Sequence, residues 1–119
     1  MVAYAGLDVG TSGTKMVVYD LKGNVLYKAE ERYKEYGGDG YREIDGNEIL
    51  DYVFRVLKNV GENCPVPVDA MAVTSLGESV VFLDKDKKSL CRSMVTGDKR
   101  GIPETEASLK NLVAAAKIV

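Results

Sequence analysis

The residues best placed to do chemistry sit near the start of the chain. Asp8 stands two residues ahead of Gly10-Thr11-Ser12-Gly13-Thr14, and Lys15 follows. Gly10 and Gly13 permit backbone angles that other residues avoid, so successive N–H groups can point into one concavity suited to phosphate oxygens. Thr11, Ser12 and Thr14 add hydroxyl donors, and Lys15 adds a positive charge. A carboxylate at the mouth of such a turn repels bare phosphate but can hold Mg²⁺ through its waters. Asp8 is therefore the candidate metal residue, and Asp8, Gly10, Thr11, Ser12, Gly13, Thr14 and Lys15 are the candidate nucleotide-binding set.

Apolar residues precede and follow the turn, in Val2 to Val9 and in Met16-Val17-Val18-Tyr19. That pattern predicts strand, turn, strand. A Walker A loop has a different glycine spacing and leads into a helix, as does the dinucleotide fingerprint. What remains is a hairpin that cradles phosphate, or else a glycine-rich hairpin with no ligand.

Gly6-Leu7-Asp8-Val9-Gly10-Thr11-Ser12-Gly13-Thr14-Lys15 resembles the first phosphate motif of the actin, sugar-kinase and Hsp70 superfamily, and more narrowly that of the FGGY carbohydrate kinases. Two later stretches carry the narrower resemblance. Thr74 to Asp84 is similar to the loop that lines the sugar pocket in that family, and Glu78 matches a glutamate that binds substrate hydroxyls in glycerol-kinase-like members. A carboxylate offers several acceptor sites to a polyol; the plain alternative is a turn glutamate facing water. Ser93 to Gly101 resembles the family's stretch ending in Asp-x-Arg, with Asp98 and Arg100 at the matching positions. Many members carry a tryptophan or tyrosine two residues before that aspartate, where this chain has Thr96. An ion pair or a helix cap is the alternative role for Asp98 and Arg100.

The resemblance implies transfer of the ATP γ-phosphoryl group to a hydroxyl of a sugar or polyol, with ATP and Mg²⁺ as cofactors. Leu76, Glu78, Asp98 and Arg100 would then bind the substrate. No catalytic residue is assigned in this chain, because the family's base aspartate is expected beyond residue 119, as are the second phosphate motif and the adenosine motif. Residues 1–119 are expected to be the N-terminal portion of the first domain, truncated and without the second, and inactive alone. A non-catalytic nucleotide-binding module is the alternative, and a structural remnant that forms a homodimer through an exposed domain face is a further one.

The elements that must position these residues can be read in order. Val25 to Tyr33 predicts a third strand whose charged Lys28, Glu30, Glu31 and Arg32 place it at a sheet edge. The tyrosines and glycines of 33–41 predict a loop. Asp45 and Glu48 have the spacing of a capping box, and Ile49, Val53, Val56, Leu57 and Val60 follow at helical intervals to a stop at Gly61. Ala70 to Ser75 reads as a strand buried on both faces. Strands are also expected at 79–83 and 90–95, around a turn at 84–88, and a helix from Pro103. The expected fold is mixed α/β: a three-stranded antiparallel meander, a crossover helix and further strands in a mixed sheet, the half-domain of the ribonuclease-H-like (actin-like ATPase) fold.

Composition narrows the function. The 119 residues are 45% hydrophobic and 29% charged, with a formal net charge of −2 and no histidine. Histidine triads and histidine metal sites are excluded. With no basic patch, neither a nucleic acid nor a membrane surface is the expected partner. Cys64 and Cys91 fit no metal spacing and read as reduced thiols, which with the lack of a signal peptide points to the cytoplasm. The apolar end, Leu112 to Val119, is expected to be either a cut end or one buried against something else.

Overall fold

In the computed structural model, backbone structure is described for residues 1–116 and side chains for residues 1–111. The apolar segment 112–119, singled out above, lies with its side chains outside the described residues.

Three strands form the meander. They are β1 (Ala3–Val9), β2 (Gly13–Asp20) and β3 (Val25–Arg32). The chain continues through β4 (Tyr36–Gly38) and β5 (Tyr41–Ile44) into α1 (Gly46–Asn63), and then into β6 (Ala70–Ser75). β7 (Ser93–Met94) and α2 (Ile102–Ala116) complete the order. The main sheet runs β3-β2-β1-β6, with β6 parallel to β1 and the meander antiparallel. β3 is an edge strand, as its charges predict.

Alternation explains how the sheet is used. Ala3, Ala5 and Leu7 of β1 turn to one face with Met16 and Val18 of β2 and Ala29 of β3, and all six are buried. Val56 and Val60 of α1 pack on that face, supported by Val53 and Leu57. Tyr4, Gly6 and Asp8 point to the opposite face. α1 begins where its cap predicts: the Asp45 carboxylate accepts from the N–H groups of Asn47 at 2.9 Å and Glu48 at 3.5 Å. The reciprocal half of the box is absent, because Glu48 accepts instead from the Tyr36 hydroxyl at 2.6 Å. Gly61 is inside the helix, which ends only at Cys64.

Other expectations are corrected. The 33–41 segment is not a plain loop: β4 and β5 pair within it, and β7 adds to β5 to make a second, three-stranded sheet. Every residue of β6 is exposed rather than buried, because α1 covers the meander and β1 is the only strand beside β6 among the described residues. Residues 79–83 form no strand and make only an isolated Leu83–Ser89 bridge, and the expected strand at 90–95 shrinks to Ser93–Met94. With no neighbouring strand to complete a ladder, the backbone there closes on itself. Leu90 N–H donates to Phe82 at 2.8 Å, and the Asp84 carboxylate ties the solvated turn by accepting from Asp86 and Lys88.

A second, smaller core joins the two sheets. Tyr33, Ile44 and Val95 are buried together, with Val9, Ile49, Tyr52 and Leu76 packed around them. Leu7 measures the main core: it is 3% exposed in the central strand. Leu7→Ala should cost about 2–5 kcal/mol, read as a lowered urea midpoint with an unchanged slope.

Candidate functional site

The turn between β1 and β2 opens on a hollow of about 350 Å³ lined by the predicted set, Asp8, Gly10 and Thr11 through to Lys15. Asp8 and Lys15 are directly opposed across the two strands and share a face. Glu30, Glu31 and Arg32 of β3 form the far wall. The sequence marks them only as edge-strand charges, because it is the register, which sets Gly13 against Arg32 and Lys15 against Glu30, that brings them there.

Both glycines are needed for space rather than for unusual backbone angles, since neither has the positive φ seen at Gly23, Gly40 and Gly97. A Cβ on Gly13 would lie 2.5 Å from the Glu31 carbonyl oxygen, and one on Gly10 would lie 3.1 Å from the Gly13 carbonyl oxygen. The turn is closed by Gly10 N–H donating to Gly13 at 2.9 Å, and pinned to β3 by Tyr33 N–H donating to Ser12 at 3.1 Å.

Thr14 does not offer its hydroxyl to a ligand as expected. It is 1% exposed, and its Oγ1 donates to the Asp8 carbonyl at 3.1 Å. The Tyr33 hydroxyl is buried nearby without a hydrogen bond of good geometry. Burial pushes this phenol's pKa up, the Thr14 hydroxyl opposes the shift, and the charge of Asp8 adds to it. Thr14 and Tyr33 thus form the floor behind the turn, while Thr11 and Ser12 are its outward residues.

A second hollow, of about 260 Å³, lies at the ends of β1 and β6 and is lined by Thr11, Leu76, Gly77, Glu78, Ser79 and Thr96. Leu76 N–H donates to the Val9 carbonyl at 2.9 Å, which carries the parallel pairing one step past β6 and sets the Glu78 loop beside the phosphate turn. Ser79 anchors the loop's other end by donating its hydroxyl to the Met94 carbonyl at 2.7 Å. Thr96 donates its hydroxyl to Glu78 Oε2 at 3.0 Å. This pairing spans eighteen positions and has no local signal in the sequence.

Asp98 and Arg100 are not in this hollow. The Asp98 side chain is only 5% exposed, and its oxygens accept from Arg42 N–H, Arg100 N–H and the Arg100 guanidinium. Arg100 also reaches Glu43 at 2.7 Å. The Arg100 guanidinium holds the Asp98 carboxyl well below the usual carboxylate range, and Asp98 with Glu43 holds the guanidinium above its ordinary value. Arg42 completes the clamp by donating to the Thr96 carbonyl at 2.9 Å. Gly97, at φ +98°, makes the bend that allows it. In this structure Asp98 and Arg100 pair with each other, and the pair holds the 96–100 loop against β5.

Among the described residues no group of three or more carboxylates, cysteines or histidines converges on a metal position. Asp8 is a single carboxylate whose Oδ2 would lie 3.6 Å from a Cβ on Gly10, at the mouth of the turn. That donor set suits an ion that keeps its waters and shares phosphate oxygens.

The model of the N-terminal domain of the FGGY family of carbohydrate kinases matches residues 3–118. The chain belongs to the FGGY family. A glycerol kinase of Thermococcus onnurineus is 31% identical over 93 residues, covering 75% of this chain and 19% of that protein. Among solved structures, the ligand-bound xylulose kinase of Lactobacillus acidophilus superposes with a TM-score of 0.83 at 23% identity, over 93% of this chain and 23% of that one. Plasmodium falciparum glycerol kinase with ADP gives a TM-score of 0.77 at 24% identity, over 92% and 23%. The FGGY chain spans about one fifth of the length of the curated relatives it matches. Its mixed sheet is the ribonuclease-H-like, actin-like half-domain that the resemblance implies.

Two outcomes test this geometry. Gly13→Ala should cost about 1–3 kcal/mol by driving β3 away from the turn, whereas Gly6→Ala, with open space around its Cβ position, should cost less in the same urea titration. The Asp98 carboxyl is lowered in the folded state, so its clamp stabilises the chain above the unfolded carboxylate pKa of about 4 and is lost as pH falls through the folded value. Asp98→Asn should lower the melting temperature at pH 7 and flatten its decline on acidification.

Proposed function

We propose that this chain supplies the first phosphate-binding wall and part of the acceptor pocket of an ATP-dependent carbohydrate kinase, which moves the γ-phosphoryl group of ATP to a sugar or polyol hydroxyl. One observation carries this reading: Thr11 borders both hollows, so a group held by the turn and a hydroxyl held by Glu78 would meet at one residue. Phosphoryl transfer rests on such positioning together with charge stabilisation.

In this reading Thr11 and Ser12 present hydroxyls to phosphate oxygens and Lys15 offsets their charge. Asp8 would hold Mg²⁺ through its waters, and the ion would supply charge neutralisation at the phosphate oxygens. Gly10 and Gly13 keep side chains out of the cradle, while Thr14 and Tyr33 support it from behind. Glu78 accepts from substrate hydroxyls, with Leu76 as the apolar side of the pocket. Asp98 and Arg100 act on the substrate only through the loop they hold. The base that takes the acceptor proton lies outside this set, so the 119 residues by themselves should turn over negligibly.

Titration of the ¹⁵N-labelled chain with MgATP tests the reading. The amide signals of Gly10 to Thr14 should move, and Lys15→Ala should weaken the response by about tenfold, the loss expected of a charge-assisted contact. Unmoved turn signals at millimolar MgATP, or an equal response in Lys15→Ala, would overturn it.

A further inference from the structure

We propose that Tyr33 is a positioning residue for the phosphate turn, its hydroxyl completing a hydrogen-bonded chain through Thr14 to the Asp8 backbone when the turn holds a phosphate group. This rests on the nucleotide reading of the turn and names one part of its support.

Tyr33 follows the last residue of β3 and is 9% exposed. Its ring packs among Ile44, Val95 and Tyr52, with the Tyr52 ring centre 5.5 Å away and tilted by 55°. Among the described residues its hydroxyl is buried with no hydrogen-bond partner. A buried polar atom left unpaired opposes folding, whereas phenylalanine would fill the same space without that penalty. The packing of the core gives no reason for the hydroxyl. Its surroundings do.

The Thr14 hydroxyl lies against the phenol, and Asp8 is near enough for its charge to act there. Thr14 donates its one hydroxyl proton to the Asp8 carbonyl at 3.1 Å, so its oxygen keeps lone pairs with which to accept. The phenol thus has a proton without an acceptor, beside a buried oxygen that can take one. A small movement joins Tyr33 O–H to Thr14 Oγ1, and Thr14 O–H to the Asp8 carbonyl, each bond polarising the next.

A pull on the turn reaches this pair directly. Tyr33 N–H donates to the Ser12 carbonyl at 3.1 Å, and a Cβ on Gly13 would lie 2.5 Å from the Glu31 carbonyl oxygen. The turn and the end of β3 therefore have no slack between them. A ligand that draws on Thr11 and Ser12 draws on Tyr33 as well. Hydrogen bonds that position a reacting group are commonly loose in the free protein and tighten in the complex. The bond gained then favours the ligand-holding form of the turn, with Asp8 fixed at its base.

The experiment titrates the full chain, labelled with ¹⁵N and with ¹³Cζ-tyrosine, with MgATP. The Tyr33 Cζ signal, identified by its loss in Tyr33→Phe, should move together with the amide signals of Gly10 to Thr14. In Thr14→Val, which lacks the acceptor, it should stay in place. Tyr33→Phe should weaken the amide response about three- to tenfold, yet melt no lower than the unaltered chain. Thr14→Ser should respond like the unaltered chain, and Tyr33→Phe added to Thr14→Val should weaken the response no further than Thr14→Val alone. A Tyr33→Phe chain that binds like the unaltered one, a Tyr33 Cζ signal that stays still, or full additivity in the double variant would overturn the role of the hydroxyl and leave the phosphate turn in place. A loss in Tyr33→Phe matched by a lower melting temperature would do the same, by assigning the hydroxyl to the core. Turn amides unmoved in the unaltered chain would overturn the nucleotide reading itself, and this proposal with it.

Discussion

Everything that bears on function depends on one small patch of apolar contact, where Tyr33, Ile44 and Val95 close on Val9 and Leu76. These residues end or follow five different strands, so their burial draws five chain ends to one place. The turn and the two loops beside it then begin within a residue or two of that contact. Thr11 is two positions beyond Val9, Glu78 two beyond Leu76, and Thr96 one beyond Val95. Side chains so near a packed anchor have little room to wander, which is what a site needs when its parts come from distant segments. The larger core under α1 stabilises the sheet, but it is the smaller one that sets the geometry of the hollows.

Polar side chains divide into those that hold the frame and those that line open space. Asp98, Arg100, Arg42 and Glu43 spend their hydrogen bonds on one another, on Glu35 and on the backbone. Thr14 spends its hydroxyl on the strand that carries Asp8. Buried or crowded polar groups must be satisfied internally, because the cost of leaving them unpaired exceeds the net gain from a typical bond. Thr11, Ser12, Lys15 and Glu78, by contrast, line open space. Residues of the same chemical type thus take opposite roles according to whether the fold has already claimed their donors.

How much of this could be read from the chain follows from the range of each interaction. β1 and β2 alternate with period two and α1 is announced by its Asp45 cap, so both were legible. The turn was legible in composition, yet the reason for Gly13 was not, because the clash it avoids is with Glu31 on another strand. β4 and β5 are too short, and β4 too glycine-rich, to show a period, and β7 exists only because β5 is there to pair with it. The exposure of β6 could not be foreseen, since an apolar run specifies a surface to be covered and not whether a neighbour covers it. Asp98 and Arg100 were found by pattern, but the pattern does not say which way a carboxylate turns. Thr96 stood out only as a departure, and its bond to Glu78 becomes visible once the loops are folded together.

The crowding at the turn also sets how much that turn can vary. Gly13 is closed to a side chain by the Glu31 carbonyl oxygen, Gly10 is crowded by that of Gly13, and Thr14 is walled in on the buried face. Ser12 is exposed and Thr11 half-buried, and both line open space. Change in the turn is easiest at those two positions, where a new side chain enters open space and no strand has to move.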